Sequence, residues 1–267
     1  MPDARPDILA LDFDGVLCEG TREYFETSRR THARVWPEGP RVADGMFADF
    51  RELRPVIETG WEMPVLLEAL VTGVPKAAMH DAWAAARDEV LARDPRGRDR
   101  VIAALRPTLD QVRREWIDAD TADWLSRHAL YADREAVRRV VIAPARTVIV
   151  TTKEGEFARR IIEHWSIAVA GIQGKEAGSH KCENLRQLRS AYRAETGAVP
   201  ALWFVEDRLE TLECVRSHAD LDDVRLFLAA WGYNTPRTRE AARRATRIDL
   251  LTLAEFTGPF SGWGASG

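Results

Sequence analysis

Asp12 and Asp14 stand two residues apart and directly ahead of Gly15, in the stretch Ile-Leu-Ala-Leu-Asp-Phe-Asp-Gly-Val-Leu from residue 8 to residue 17. Two like charges so close together, behind an apolar run, repel each other and resist desolvation. A divalent cation relieves both problems, because it is the largest local positive charge a site can hold. Paired carboxylates beside a cation suit phosphoryl transfer. That chemistry needs an in-line nucleophile, positive charge around the phosphoryl oxygens and a group that protonates the departing oxygen. Asp12 is the candidate nucleophile, attacking phosphorus to form an aspartyl phosphate. Asp14 is the candidate acid on the leaving oxygen and then the base on the hydrolytic water. Mg²⁺ prefers near-octahedral oxygen ligation; Asp12, the backbone carbonyl of Asp14 and Asp207 are its expected ligands, with Glu206 ligating directly or through water.

An Asp-x-Asp pair alone is most often an acidic turn after an ordinary strand. The longer pattern Asp-x-Asp-Gly-x-Leu is rarer, arising by chance in about one chain in a few hundred at average residue usage. Thr151 offers a hydroxyl ahead of a helix whose N-terminal N–H groups favour an anion; its bland reading is a helix cap. A lysine is also needed to offset phosphate and carboxylate charge. Lys153, Lys175 and Lys181 are the candidates, in a chain that uses arginine far more often.

These residues need a scaffold. Ile8 to Leu11 is long enough for a buried strand. From residue 18 to about 144 the apolar residues recur at helical spacing. Tyr24 and Phe25 mark one helix, and Met46 to Ile57 a second, with Pro55 as its boundary. Leu66 to Leu70 and Lys76 to Arg93 mark two more, and Thr108 with Gln111 reads as a capping box that opens another. Strands resume at Thr147–Val150, Ile167–Ile172, Ala201–Val205 and Val224–Ala230, alternating with helices. Thr235-Pro236 looks like an N-cap followed by proline at the first helical position. The tail from Gly258 reads as loose.

Alternating strands and helices with continuously apolar strands predict an α/β, Rossmann-like, doubly wound parallel sheet. Its core is residues 1–17 and 145–267, and 18–144 form an all-helical cap domain inserted after the first strand. Ligands bind such sheets at the carboxyl ends of the strands, where Asp12, Asp14, Thr151, Glu206 and Asp207 all fall.

The 267 residues carry a net charge of −4, so there is no global basic footprint for nucleic acid. The three cysteines, Cys18, Cys182 and Cys214, show no paired spacing, which points to a reducing cytoplasm. No stretch is apolar enough to predict a membrane span. A monomer or homodimer is expected.

The chain resembles the haloacid dehalogenase-like (HAD) hydrolase superfamily across its whole core. Asp12-Phe13-Asp14-Gly15 looks like the first family motif. Val148-Ile149-Val150-Thr151-Thr152-Lys153 is similar to the second, Lys181 to the third-motif lysine, and Phe204-Val205-Glu206-Asp207 to the fourth. The closest likeness is to the phosphoglycolate phosphatase and β-phosphoglucomutase branch, which carries a helical cap in the same place. Cys182 replaces the usual proline after the lysine. The resemblance implies a Mg²⁺-dependent phosphatase of a small phosphorylated metabolite. Asp12, Asp14, Thr151 and Lys181 would then be catalytic, with Thr152, Lys153, Lys175 and the cap residue Arg54 toward the substrate. A phosphomutase of the β-phosphoglucomutase kind and a non-catalytic binding or assembly protein that keeps the fold are the alternatives.

Overall fold

A computed structural model describes residues 5–178 and 180–264. The chain divides into two compact units, residues 20–128 and residues 1–19 with 129–267.

The first unit is helical. It comprises α1 (Thr21–Val35), α2 (Phe47–Leu53), α3 (Glu62–Val71), α4 (Lys76–Ala92), α5 (Arg98–Ala119) and α6 (Thr121–Ser126). Pro55 falls in a 3₁₀ turn, Arg54–Val56, that closes α2, as a residue lacking an N–H donor should. Helix α1 packs on α3 and α5. Glu23 is fully buried on α1, and it is tolerated there because Arg113 Nε donates to it at 2.7 Å and Thr27 Oγ1 at 2.6 Å; a buried charge without partners would be costly. The expected capping box at Thr108 is absent. Helix α5 runs straight through Pro107, and Thr108 Oγ1 donates to Ala104 O at 2.7 Å. The apolar stripe of Val101, Leu105, Leu109, Val112 and Trp116 is buried along the whole helix, so packing of that face outweighs the local capping signal.

The second unit carries eight strands: β1 (Ile8–Leu11), β2 (Cys18–Glu19), β3 (Ala129–Leu130), β4 (Arg146–Val150), β5 (Gly171–Gln173), β6 (Leu202–Glu206), β7 (Arg225–Ala229) and β8 (Ile248–Leu251). Its helices are α7 (Arg134–Ile142), α8 (Gly155–His164), α9 (Lys181–Thr196), α10 (Leu209–Arg216), α11 (Pro236–Arg244) and α12 (Leu253–Phe256). Six strands form one parallel sheet in the order β5-β4-β1-β6-β7-β8. All of β1 is buried, as a central strand covered on both faces must be. From β1 the order runs to β5 on one side and to β8 on the other, so the topological switch point lies at β1.

The division between units falls at residues 19/20 and 128/129, against the expected 17/18 and 144/145. Two short strands account for it: β2 pairs antiparallel with β3, and two-residue strands have no readable alternation. Helix α7 goes with the sheet, packing on β4 with Val137, Val140 and Val141 buried. Strand β5 begins later than expected, because Ile167 still bonds back to Ile162 O at the end of α8. Strand β8 was not expected at all. The tail is also ordered through residue 264. Trp263 is 3% exposed and stacks within 5.7 Å of Trp203, Phe227, Phe256 and Phe260, and burying a ring of that size outweighs the glycine-rich composition. Residues 265–267 of the tail lie outside the described residues. Among the described residues no helix is long and apolar enough to cross a membrane.

Candidate active site

Strand β1 ends at Leu11, whose register partners are Ile149 on β4 and Val205 on β6. The next residue on each path is therefore level with its neighbours at the carboxyl edge of the sheet. Asp12 N donates to Val205 O at 2.9 Å, which holds the chain in register for one residue past the strand. Carboxylate oxygens of Asp12, Glu206 and Asp207 all lie within 4.8 Å of one another, and all three residues are buried. Glu206 Oε1 accepts from the N–H groups of Asp207 at 3.1 Å and Arg208 at 3.2 Å. Asp207 Oδ2 accepts from Tyr233 N at 2.7 Å.

Lys181, the first residue of α9, enters this cluster from the side. Its ammonium bonds Asp12 Oδ1 and Val150 O and stands 3.4 Å from Glu206 Oε2. Three carboxylates against one ammonium leave surplus negative charge. Burial, reinforced by Glu206, pushes Asp12 up to about 7. Burial likewise pushes Glu206 up to about 7, Lys181 working against it and Asp207 with it. Burial also opposes the Lys181 ammonium, but Asp12 and Glu206 outweigh it and its pKa is raised, so the lysine stays charged. The surplus is what a divalent cation neutralises. The donors are all oxygens, a hard set that fits Mg²⁺.

Asp14 turns elsewhere. Lys153 Nζ lies 3.4 Å from its Oδ2, and its Oδ1 is buried with no hydrogen-bond partner among the described residues. An orphaned buried oxygen costs free energy unless a ligand group completes it. Thr151 is buried; its N–H donates to Gln173 O at 2.9 Å and its Oγ1 accepts from Lys153 N at 3.1 Å.

No family model matches the sequence, and no curated protein sequence matches it. Solved structures do. A protein described as a predicted phosphatase from Clostridium acetobutylicum aligns at TM-score 0.55 and 12% identity, covering 95% of this chain and 97% of that one. A haloacid dehalogenase-like family hydrolase from Streptococcus pneumoniae aligns at 0.52 and 10% identity, over 92% and 93%. A protein described as a predicted phosphoglycolate phosphatase from Haemophilus somnus aligns at 0.53 and 11%, over 85% and 87%. The chain has the HAD fold.

Within this HAD fold the expected site residues separate. Asp12, Glu206, Asp207 and Lys181 converge, and Lys153 meets Asp14. Lys175 is exposed in the 3₁₀ turn Lys175–Ala177, its N–H bonding Lys153 O at 2.9 Å. Thr152 is exposed. Arg54 belongs to the helical unit, with its guanidinium 5.2 Å over the Tyr24 ring and Nη1 donating to Ile57 O at 3.4 Å. The Asp14 side chain is not part of the carboxylate cluster, which leaves its backbone carbonyl as the expected ligand. An anion does stand at the N-terminus of α8, and it is the chain's own Glu176, whose Oε2 accepts from Gly155 N at 3.1 Å.

One part of the HAD-fold site escaped the sequence reading: the turn after β7. Tyr233 N holds Asp207, and Asn234 Nδ2 bonds both Asp207 O at 3.1 Å and Ala229 O at 2.8 Å. A Cβ on Gly232 would collide with Asp207 Cβ and Gly15 O, and one on Gly15 with the Asp207 carboxylate. The available signal was a glycine between two aromatic residues at the carboxyl end of a buried strand, the same edge as the other loops. Gly232→Ala is therefore expected to weaken divalent-cation binding by about tenfold or more through displacement of Asp207, read by calorimetric titration of the folded variant.

Proposed function

We propose that this chain is a Mg²⁺-dependent phosphoric monoester hydrolase acting on a small phosphorylated metabolite through an aspartyl-phosphate intermediate. The observation that carries the reading is convergence: carboxylates from two separate strands, Asp12 after β1 and Glu206–Asp207 at the end of β6, lie within 4.8 Å of one another with one buried ammonium among them. The phosphatase descriptions of the structural neighbours support the same class.

Asp12, Asp207 and Glu206 would hold the cation, which supplies charge to balance the phosphoryl oxygens and the nucleophile. Asp12 attacks phosphorus in line. Lys181 offsets the negative charge that nucleophile and phosphoryl group bring together. Asp14, whose Oδ1 is the orphaned oxygen, protonates the leaving alcohol and then takes the proton of the attacking water. The Thr151 hydroxyl still has a proton to donate to a phosphoryl oxygen. Lys153 orients Asp14 through the contact at 3.4 Å.

The test is release of inorganic phosphate from a broad panel of phosphate esters with Mg²⁺ present. Release, abolished by a chelator, supports the reading. Transfer of the phosphoryl group between hydroxyls with no free phosphate would replace it with a mutase, and no turnover of any ester would remove it. A pH dependence follows from the charge balance. Protons compete with Mg²⁺ for Asp12 and Glu206, both near 7. Lowering the pH from 8 to 6 is expected to weaken Mg²⁺ about tenfold for each carboxylate that must lose a proton. Calorimetric titration at the two pH values measures it, and equal affinities would contradict it.

A further inference from the structure

The residue after Lys181 belongs to a second cluster. Cys182 is buried in the first turn of α9, and its Sγ lies 3.6 Å from Sγ of Cys214 on α10. His218, four residues beyond Cys214, completes the group, with one ring nitrogen and both sulfurs within 4.8 Å of one another. Helices α9 and α10 pack together, so the arrangement is built by tertiary structure rather than by a local loop.

The sulfur spacing discriminates between two uses of a cysteine pair. A disulfide needs about 2.05 Å between sulfurs. Two thiolates on one tetrahedral zinc, each at about 2.3 Å, stand about 3.8 Å apart. The observed 3.6 Å, a thiol-to-thiol hydrogen bond, is far too long for a disulfide and already close to the separation of two ligands of one ion. Two sulfurs and an imidazole are a soft set that selects zinc over magnesium, whereas the Asp12 cluster is all oxygen. Cys182 is buried, Cys214 exposed and His218 half-buried, so an ion can reach the group from solvent and keep one position for water. Arg186, whose charge acts on Cys182, is already paired with Asp220, at 2.6 and 2.9 Å.

We propose that Cys182, Cys214 and His218 bind a zinc ion, which ties the start of α9 to α10 one residue from Lys181. Both thiols give their protons to solvent as the ion binds, and no electron is transferred.

The test uses the full chain, reduced, freed of metal and then supplied with Mg²⁺, titrated with Co²⁺ as a visible stand-in for zinc. One equivalent is expected to produce a thiolate-to-cobalt charge-transfer band and the intense visible bands of a tetrahedral site, all bleached by Zn²⁺. Cys214→Ser, at an exposed position, is expected to weaken Co²⁺ binding about a hundredfold and diminish the charge-transfer band. His218→Gln is expected to shift the visible bands. Asp12→Asn is expected to keep the full spectrum. Absence of the band, an undiminished band in Cys214→Ser, its loss in Asp12→Asn, or oxidation of the two thiols to a disulfide in a protein that takes up no cobalt would each overturn the proposal. No phosphate release is measured, so the outcome is independent of the hydrolase reading.

Discussion

Asp12→Asn is expected to lower phosphate release by about 10⁴-fold or more, with the fold intact. The size of the effect follows from what is removed. An amide has no carboxylate oxygen to bond phosphorus, so the proposed two-step path through an aspartyl phosphate closes and only binding and charge stabilisation remain. Misfolding would not explain the loss, because the metal-free protein should gain stability from the change. Asp12 is buried and its pKa lies near 7, above the ordinary carboxylate value. A carboxylate raised in this way stabilises the fold while protonated, below its unfolded pKa near 4, and that contribution is lost as pH rises through about 7. At pH 8 in a chelator the asparagine variant should therefore melt above the parent. Phosphate release and thermal unfolding, measured on the same preparation, check both halves. A variant that keeps a tenth of the parent turnover would end the assignment of Asp12 as nucleophile.

Lys181→Ala carries the second large effect, and here stability and activity fall together. The ammonium is surrounded by Asp12 Oδ1, Val150 O and Glu206 Oε2, and the side chain is only 8% exposed. Removing it leaves buried carboxylates facing one another without a counter-charge, a change that destabilises proteins by about 3 kcal/mol or more. The loss should be greatest at pH 8 in the metal-free protein. It should shrink toward pH 6, where Asp12 and Glu206 take up protons and the repulsion disappears. Mg²⁺ should recover part of the stability, since it supplies positive charge to the same oxygens, but turnover should stay about a hundredfold down for want of the lysine beside the phosphoryl group. Urea unfolding at both pH values, with and without Mg²⁺, separates these contributions. A pH-independent loss would mean that Lys181 acts by packing alone.

Much of the core was legible because its signals are local. The burial of β1 follows from four consecutive apolar residues, and its carboxyl end is marked by Asp12, Asp14 and Gly15 within four positions. The alternation through β4, β6 and β7 needs no long-range information, since each of these strands is its own apolar run. Even the joint placement of Asp12, Thr151 and Asp207 follows once the strands are parallel, because a parallel sheet puts every strand's carboxyl end on one edge.

The remaining features depend on contacts between residues far apart in the chain, which spacing does not encode. Charge and placement in the sequence left three lysines open and only the family resemblance favoured Lys181; the path of α9 is what brings Lys181 to Asp12 while Lys175 is exposed. The N-terminus of α8 looked ready for any anion, and Glu176, twenty-one residues away, is the one that stands there. Helix α5 continues past Pro107 because one buried face outweighs one missing hydrogen bond. The tail is held by Trp263 against aromatic residues from β6, β7 and α12. Gly15 and Gly232 share no local signal, yet each leaves room for the same Asp207 carboxylate. Residue types and short spacings by themselves determined the centre of the sheet, its reactive edge and the chemistry offered there. Which side chains meet at that edge was decided by tertiary packing, because burial couples charges across the fold and only the assembled sheet brings them within reach.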